Sequence, residues 1–177
     1  MRQNKTEKNS MSSMHHMQEA LEIDASPETL YAIVADYRVG HPAILPPGAF
    51  GPLIVEQGGV GAGTITRGSI KIWGKNYPFR HSISEPEPGR VLKETDLDTG
   101  QYTIFTFDSL DSGRRTRVTF DTWFPQAAGL AGWLDVRIKT MIAHKLYKEE
   151  LRRLADYAAR PQSIGRDDSR QPEQISE

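Results

Sequence analysis

Between Gly48 and Pro125 the chain reads as a run of short strands, and that run sits between one brief helical segment and one very long one. This order is what most restricts the fold. A segment near Met17–Ala25 has strand character and Ser26–Asp36 has helical character. About six more strands follow, separated by Gly, Pro and Asp turns. A helical stretch from about Gln126 to Ala159 closes the domain. A curved sheet folded against one long helix tends to enclose a cavity, and such cavities bind apolar small molecules.

The local signals are mechanistic. In Leu21-Glu22-Ile23-Asp24-Ala25 the apolar residues fall on one face and the acids on the other. Ser26-Pro27-Glu28 then starts a helix: Ser caps an orphan N–H, Pro suits the first helical position and Glu favours the positive end of the dipole. Leu30, Ile33 and Val34 give its buried stripe. Strands are expected at Phe50–Gln57, Thr64–Trp73 with a bulge at Gly68, Tyr77–Ser84, Arg90–Leu97, Gln101–Asp108 and Arg115–Phe124. Loops this short imply hairpins and an antiparallel meander.

In the last helix Leu130, Leu134, Ile138, Ile142, Leu146, Leu154 and Ala158 lie on one i+4 row, with Glu150 its polar interruption. Such a row drifts about 40° per step, so this packing face is expected to wind diagonally across a curved sheet. A broken helix with two differently facing halves is the alternative. The bases of this helix are offset by acids, with Asp135–Lys139 and Glu149–Arg153 at i, i+4 spacing, which reads as a solvated face.

Composition excludes several classes. The 177 residues fit one domain, residues 14–160, with tails at 1–13 and 161–177 too poor in apolar residues to fold. A net charge of −1 gives no electrostatic case for nucleic acid or an anionic membrane. The absence of cysteine excludes disulfides and thiol chemistry and suits a cytoplasmic protein. No run of about 18 apolar residues is present, so no integral membrane segment is expected. A monomer or weak homodimer is expected.

Candidate chemistry is sparse. The glycine run Gly58–Gly63 lacks the Gly-Lys-Ser/Thr of a phosphate loop and precedes a strand, so it reads as a turn. His15 and His16 have no converging ligands; neither a metal site nor a cofactor is expected. Strand parity turns Val118, Phe120, Thr122 and Phe124 inward, with Phe105 and Phe107, and with Tyr77, Phe79, His81 and Ile83. Leu134, Ile138 and Met141 are expected to line the cavity from the helix. His81 is then the clearly ionisable side chain on an inward strand face. It reads either as a histidine paired with a neighbour near the cavity mouth, or as a ligand partner or general acid/base.

Leu21–Tyr37 (LEIDASPETLYAIVADY), Gly89–Leu92 and Arg115–Phe120 before Ala127–Leu134 resemble the polyketide cyclase/dehydrase and lipid-transport families of the START-like, or SRPBCC, helix-grip superfamily. The resemblance implies an α+β fold: a curved seven-stranded antiparallel sheet around a long C-terminal helix, with a short helical segment after the first strand and a deep apolar cavity between. It carries no catalytic motif, and the fold hosts unlike functions. Three remain in view: a carrier or binding protein for a lipid-like, aromatic or polyketide-like molecule, a cyclase/aromatase/dehydratase-type enzyme, and a co-chaperone-like interaction module. The scarcity of inward ionisable residues favours the first. Limited proteolysis is expected to trim about the first 13 and last 17 residues while leaving the thermal midpoint unchanged; a midpoint lowered by trimming would show that the tails belong to the fold.

Overall fold

The computed structural model describes residues 13–160. The two expected tails otherwise lie outside the described residues. The elements run β1 (Ser13–Ile23), α1 (Pro27–Ala35), α2 (Gly40–Ile44), β2 (Ile54–Gln57), β3 (Ile65–Ile72), β4 (Lys75–Glu87), β5 (Val91–Asp96), β6 (Tyr102–Leu110), β7 (Arg115–Gln126) and α3 (Gly129–Ala158). The strands form one seven-stranded sheet in the order β1-β7-β6-β5-β4-β3-β2. Every pairing is antiparallel. Sheet and helix together make the helix-grip fold.

The α1 start follows the sequence logic. Ser26 Oγ accepts from the Thr29 amide at 3.3 Å, and Pro27 takes the first helical position. The Trp73-Gly74 hairpin tip has φ of 48° and 81°, the positive values a tight two-residue turn demands. Trp73 stands 75% exposed there.

A short helix with no counterpart among the expected elements, α2 at Gly40–Ile44, follows Asp36. Two local expectations are corrected. The strand expected over Phe50–Gln57 shrinks to Ile54–Gln57. Gly68 is not a bulge, since β3 and β4 stay in register through Gly68↔Phe79. A Cβ at residue 68 would lie 2.6 Å from the Phe79 ring, so glycine is required by an aromatic ring laid across the strand.

α3 is one continuous helix of 30 residues, about 45 Å long at 1.5 Å per residue. Its packing face is not the i+4 row. The buried positions are Gly132, Val136, Ala143, Glu150, Leu151 and Leu154. Val136 and Ala143 close on Met17 and Phe124, at the β1–β7 edge. On the i+4 row Leu134 sits about 160° around the axis from Val136, and Met141, which neighbours that row, about 140°. Leu134 is accordingly 52% and Met141 61% exposed, with Leu130 at 78%. Ile138, on the same side, is half-buried. The row reaches the sheet only at its C-terminal end, through Glu150 and Leu154.

The core joins α1 and the end of α3 to the inner face of the sheet, through Leu30, Val34, Ile44, Leu92, Phe105, Phe107, Val118, Phe120, Leu151 and Leu154. Val136→Asp, at a position 1% exposed, should cost about 3–5 kcal/mol in urea unfolding by burying an unpaired charge, whereas Leu134→Asp should stay within about 0.5 kcal/mol. Similar losses for both would return the packing face to the i+4 row.

Candidate functional site

The inner face of the sheet is not uniformly apolar. Strand register sets Thr66, His81 and Asp96 side by side on β3, β4 and β5. The next row runs Ile83, Glu94, Thr103, Thr122 and Met17 across β4, β5, β6, β7 and β1. These two rows make a polar band, flanked on β5, β6 and β7 by the apolar row Leu92, Phe105 and Phe120. Asp96, Glu94, Thr66, Thr103 and Thr122 are all buried.

Glu94 is its centre. The segment following α1 lays Tyr37 and α2 lays His41 over β5, the two rings stacked 4.6 Å apart. Tyr37 Oη donates to Glu94 Oε1 at 2.7 Å. His41 Nδ1 donates to the Val34 carbonyl at 2.8 Å, which leaves Nε2 3.6 Å from Glu94 Oε1. From β4, His81 places Nδ1 3.5 Å from Glu94 Oε2 and Nε2 3.7 Å from Asp96 Oδ2. The other Asp96 oxygen accepts from the Asp98 and Thr99 amides at 3.0 and 2.7 Å, which fixes that carboxylate in the β5–β6 turn.

Burial alone would push the Glu94 carboxyl up. The His81 contact, the charges of His41 and His81 and the Tyr37 hydroxyl outweigh it, and the pKa falls to about 2. Burial likewise pulls His81 down, but the contact with Glu94, its charge and that of Asp96 raise it above the usual imidazole range. Tyr37 is held protonated by burial and by the Glu94 charge.

Glu150 faces this band from α3 and is 3% exposed. Burial and then the charge of Glu94 push its carboxyl up to about 8, with no hydrogen bond to offset them. Beside it Tyr147 reaches Thr122 at 2.9 Å and Thr103 at 3.2 Å, and those threonines bond each other at 2.8 Å. Thr66 Oγ1 is buried with no hydrogen-bond partner.

Of the residues read from the sequence, His81 and Thr122 lie in the band, and Phe79 stacks on His81 at 4.4 Å. Ile83, Phe105, Phe107, Val118 and Phe120 face inward, but they are at most 4% exposed and line no open space. Phe105 packs edge-on to Phe120 at 4.6 Å, and Phe120 to Tyr147 at 5.5 Å. The side chains themselves fill the cavity expected there. Leu134 and Met141 point away from it. The expectation that His81 stands alone as an inward ionisable group is also corrected, because Glu94 and Asp96 share that face. Parity held the signal for both, since they follow Leu92 at steps of two in β5.

The other motifs have structural roles. His16 bonds Asp121 at 2.7 Å and stacks on Trp123. The glycine run latches onto the end of α1: Gly59 O accepts from the Tyr37 amide at 2.9 Å, and the Gly61 amide donates to Ala35 O at 3.0 Å. Glu85 ties the same loop down, accepting from the Ala62 amide at 2.9 Å and from the Tyr31 hydroxyl. An open groove of about 400 Å³ runs over β2–β4, lined by Ile54, Arg67, Arg80 and Asp98 among others. Both of its arginines are paired to Glu56, so it lacks the convergent free groups of the band.

No family model matches the sequence, and no curated protein matches it. Solved structures do. KanY protein is 19% identical with a TM-score of 0.72, over 82% of this chain and 98% of its own. The Zhui aromatase/cyclase from Streptomyces sp. R1128 is 19% identical with a TM-score of 0.65, over 82% of this chain and 94% of its own. A START superfamily protein from Mycobacterium smegmatis is 17% identical with a TM-score of 0.65, over 81% and 97%. The chain has the START-like helix-grip fold. No described helix is long and apolar enough to cross a membrane.

The two buried carboxyls make opposite contributions to folding. Glu150 keeps its proton to about pH 8 in the fold, against an ordinary value of 4.5. Between these values the folded state binds more protons than the unfolded, so stability falls as pH rises through that window. Glu94, lowered to about 2, stabilises above 4.5 and loses that contribution as pH falls. Glu150→Gln should therefore leave stability near pH 5 almost unchanged and raise it at pH 8 by roughly 2–4 kcal/mol. Parallel urea midpoints for both proteins across that range would mean that Glu150 is already ionised in the fold.

Proposed function

We propose that this chain binds a hydrophobic small molecule inside the grip, as a carrier or binding protein, with the polar band orienting the ligand. The observation that carries this reading is the band itself: buried polar groups in an apolar core, one of which, Thr66 Oγ1, has no hydrogen-bond partner among the described residues. Unsatisfied buried groups cost stability unless something bonds them. The helix geometry supports the same reading. α3 makes its close backbone approaches to β1, β7, α1 and α2 rather than to β3–β5, which leaves that side of the inner face to be covered by side chains. A cytoplasmic location and a monomer or weak homodimer complete this reading, the first supported by the cysteine-free sequence.

A second reading has its own support. Two carboxyls with proton affinities as far apart as those of Glu94 and Glu150 are the arrangement that acid–base chemistry uses. Glu150 would supply a proton to a ligand oxygen, in an enzyme of the cyclase or dehydratase type. One neighbour in fold is an aromatase/cyclase.

Native mass spectrometry of the purified protein, followed by solvent extraction, should recover a co-purifying apolar molecule. His81→Ala should weaken its retention by about 1–3 kcal/mol through the loss of a buried polar contact. Under the enzyme reading the same change would cut turnover by roughly 10²–10⁴-fold with little effect on binding. If His81→Ala changes neither, the band does not orient a ligand.

A further inference from the structure

The overall charge of −1 hides an uneven distribution. Sheet register sets which turns share an end. Ser13 pairs with Gln126, Tyr102 with Trp123, and His81 with Asp96. The start of β1, the β3–β4 hairpin tip, the β5–β6 turn and the start of α3 therefore lie at one end of the sheet. The end of β1, the β4–β5 and β6–β7 turns and the C-terminus of α3 lie at the other.

Exposed apolar side chains gather at the first end. β4 runs past its last β5 pair, His81 with Asp96, so Lys75–Arg80 carries the hairpin about 20 Å further at about 3.4 Å per residue. Trp73 at its tip, Tyr77 behind it and Leu97 in the β5–β6 turn are all exposed. So are Leu130, Trp133 and Leu134 in the first turns of α3, which fall within about 100° of one another around the axis. Large apolar groups gathered on one exposed face mark a contact surface.

Cations frame these groups. Exposed Lys71 and Lys75 flank Trp73, and Arg137 lies over the Trp133 ring at 5.1 Å. The exposed acids nearest the tips are Asp98 and Asp135, and Asp135 is paired to Lys139 at 2.7 Å. Residues 1–12, which lead into β1 at this end, carry Arg2, Lys5 and Lys8 against Glu7. At the opposite end Glu87 and Asp108 share Arg90, and Glu22, Asp24 and Asp111 share Arg115. Residues 161–177, which follow α3 there, carry Asp167, Asp168, Glu173 and Glu177 against Arg166 and Arg170.

Aromatic rings beside lysines, at the positive end of a polarised molecule, match the interface of an anionic bilayer. There Trp and Tyr settle at headgroup level and bases are drawn to the headgroup charge. A protein partner needs one surface of fixed shape, whereas a bilayer accepts groups carried on separate turns, as these are. We propose that this end of the molecule docks on an anionic lipid bilayer, with the β3–β4 hairpin tip at headgroup level. The proposal stands apart from interior binding, since it needs only the exposed groups. It also turns the edge of the polar band toward the lipid, because His81 pairs with Asp96 beside the β5–β6 turn.

The test is co-sedimentation of the purified full chain with vesicles of phosphatidylcholine, alone or with about 30% phosphatidylglycerol. Binding to the anionic vesicles should be about tenfold or more tighter than to the neutral ones, and about 0.5 M salt should remove most of that difference. Lys71→Glu with Lys75→Glu should abolish the preference. Arg114→Glu with Arg166→Glu makes the same charge change at the opposite end and should leave affinity within about twofold. Trp73→Ala should weaken binding about fivefold or more and shrink the blue shift of tryptophan emission that binding produces. The substituted side chains at 71, 73, 75 and 114 are exposed, so urea midpoints should match the parent's. No binding to either vesicle overturns the proposal, and so does an equal loss in both charge-reversed variants. A dimer in analytical ultracentrifugation that Trp73→Ala dissolves also overturns it, by making a second copy the occupant. None of these outcomes decides whether an apolar molecule co-purifies, so interior binding stands or falls separately.

Discussion

A carboxylate held in the middle of the sheet's inner face organises much of what surrounds it. Glu94 is placed there by β-strand parity, and a buried carboxylate is costly unless it is paired and hydrogen-bonded. The chain meets that requirement with groups far apart in sequence: Tyr37, His41 and His81. To deliver the first two, the chain after α1 must turn back over β5, and α2 is the short helix that holds His41 in place. His41 is braced by its bond to the Val34 carbonyl, at the end of α1. The glycine loop then fastens on the same spot, through the Tyr37 amide and the Ala35 carbonyl. What looks like an irregular flap between helix and sheet is the coordination sphere of one carboxylate.

The same charge sets the state of the group above it. Glu150 is buried and feels the charge of Glu94, so the two carboxyls cannot both ionise cheaply. One is held as a carboxylate and the other as a carboxylic acid, at the same pH and in the same interior. The helix that carries Glu150 is anchored on the far side, at the β1–β7 edge and through Arg153 to α2. Its position over the band therefore does not depend on any bond made by Glu150 itself. The packing that fixes the fold and the polar groups that offer chemistry are separate sets on one helix.

Much of the fold was legible because its punctuation is local. Ser26-Pro27 starts a helix and Gly- or Asp-rich turns end strands, whatever lies around them. Alternation alone was enough to turn His81 and Thr122 inward. The site was less legible, for two physical reasons. Hydrophobic pattern cannot see a buried carboxyl whose partners lie tens of residues away, so Glu94 and Asp96 were absent from the inward set although they share parity with Leu92. The i+4 row on α3 looked continuous in sequence, but 3.6 residues per turn carry it off the sheet. Only the spacing from Val136 through Ala143 to Glu150 stays on one side. Glu150, which looked like a defect in an apolar row, is the position where that row meets the interior. Gly68 shows the same limit: a strand glycine reads as a bulge until the Phe79 ring that needs the space is seen.

The band is graded from surface to centre. The His81 side chain is 21% exposed and Glu94's is 11%, and Glu150 as a residue is 3% exposed. Phe79 stacks on His81 and meets Phe50 edge-on at 6.5 Å, so the outermost polar group is framed by aromatic rings. Charge inside a low-dielectric interior acts over several ångströms. The raised proton affinity of His81 and the lowered one of Glu94 are therefore two sides of one contact, and the carboxyl least exposed to solvent is the one held neutral.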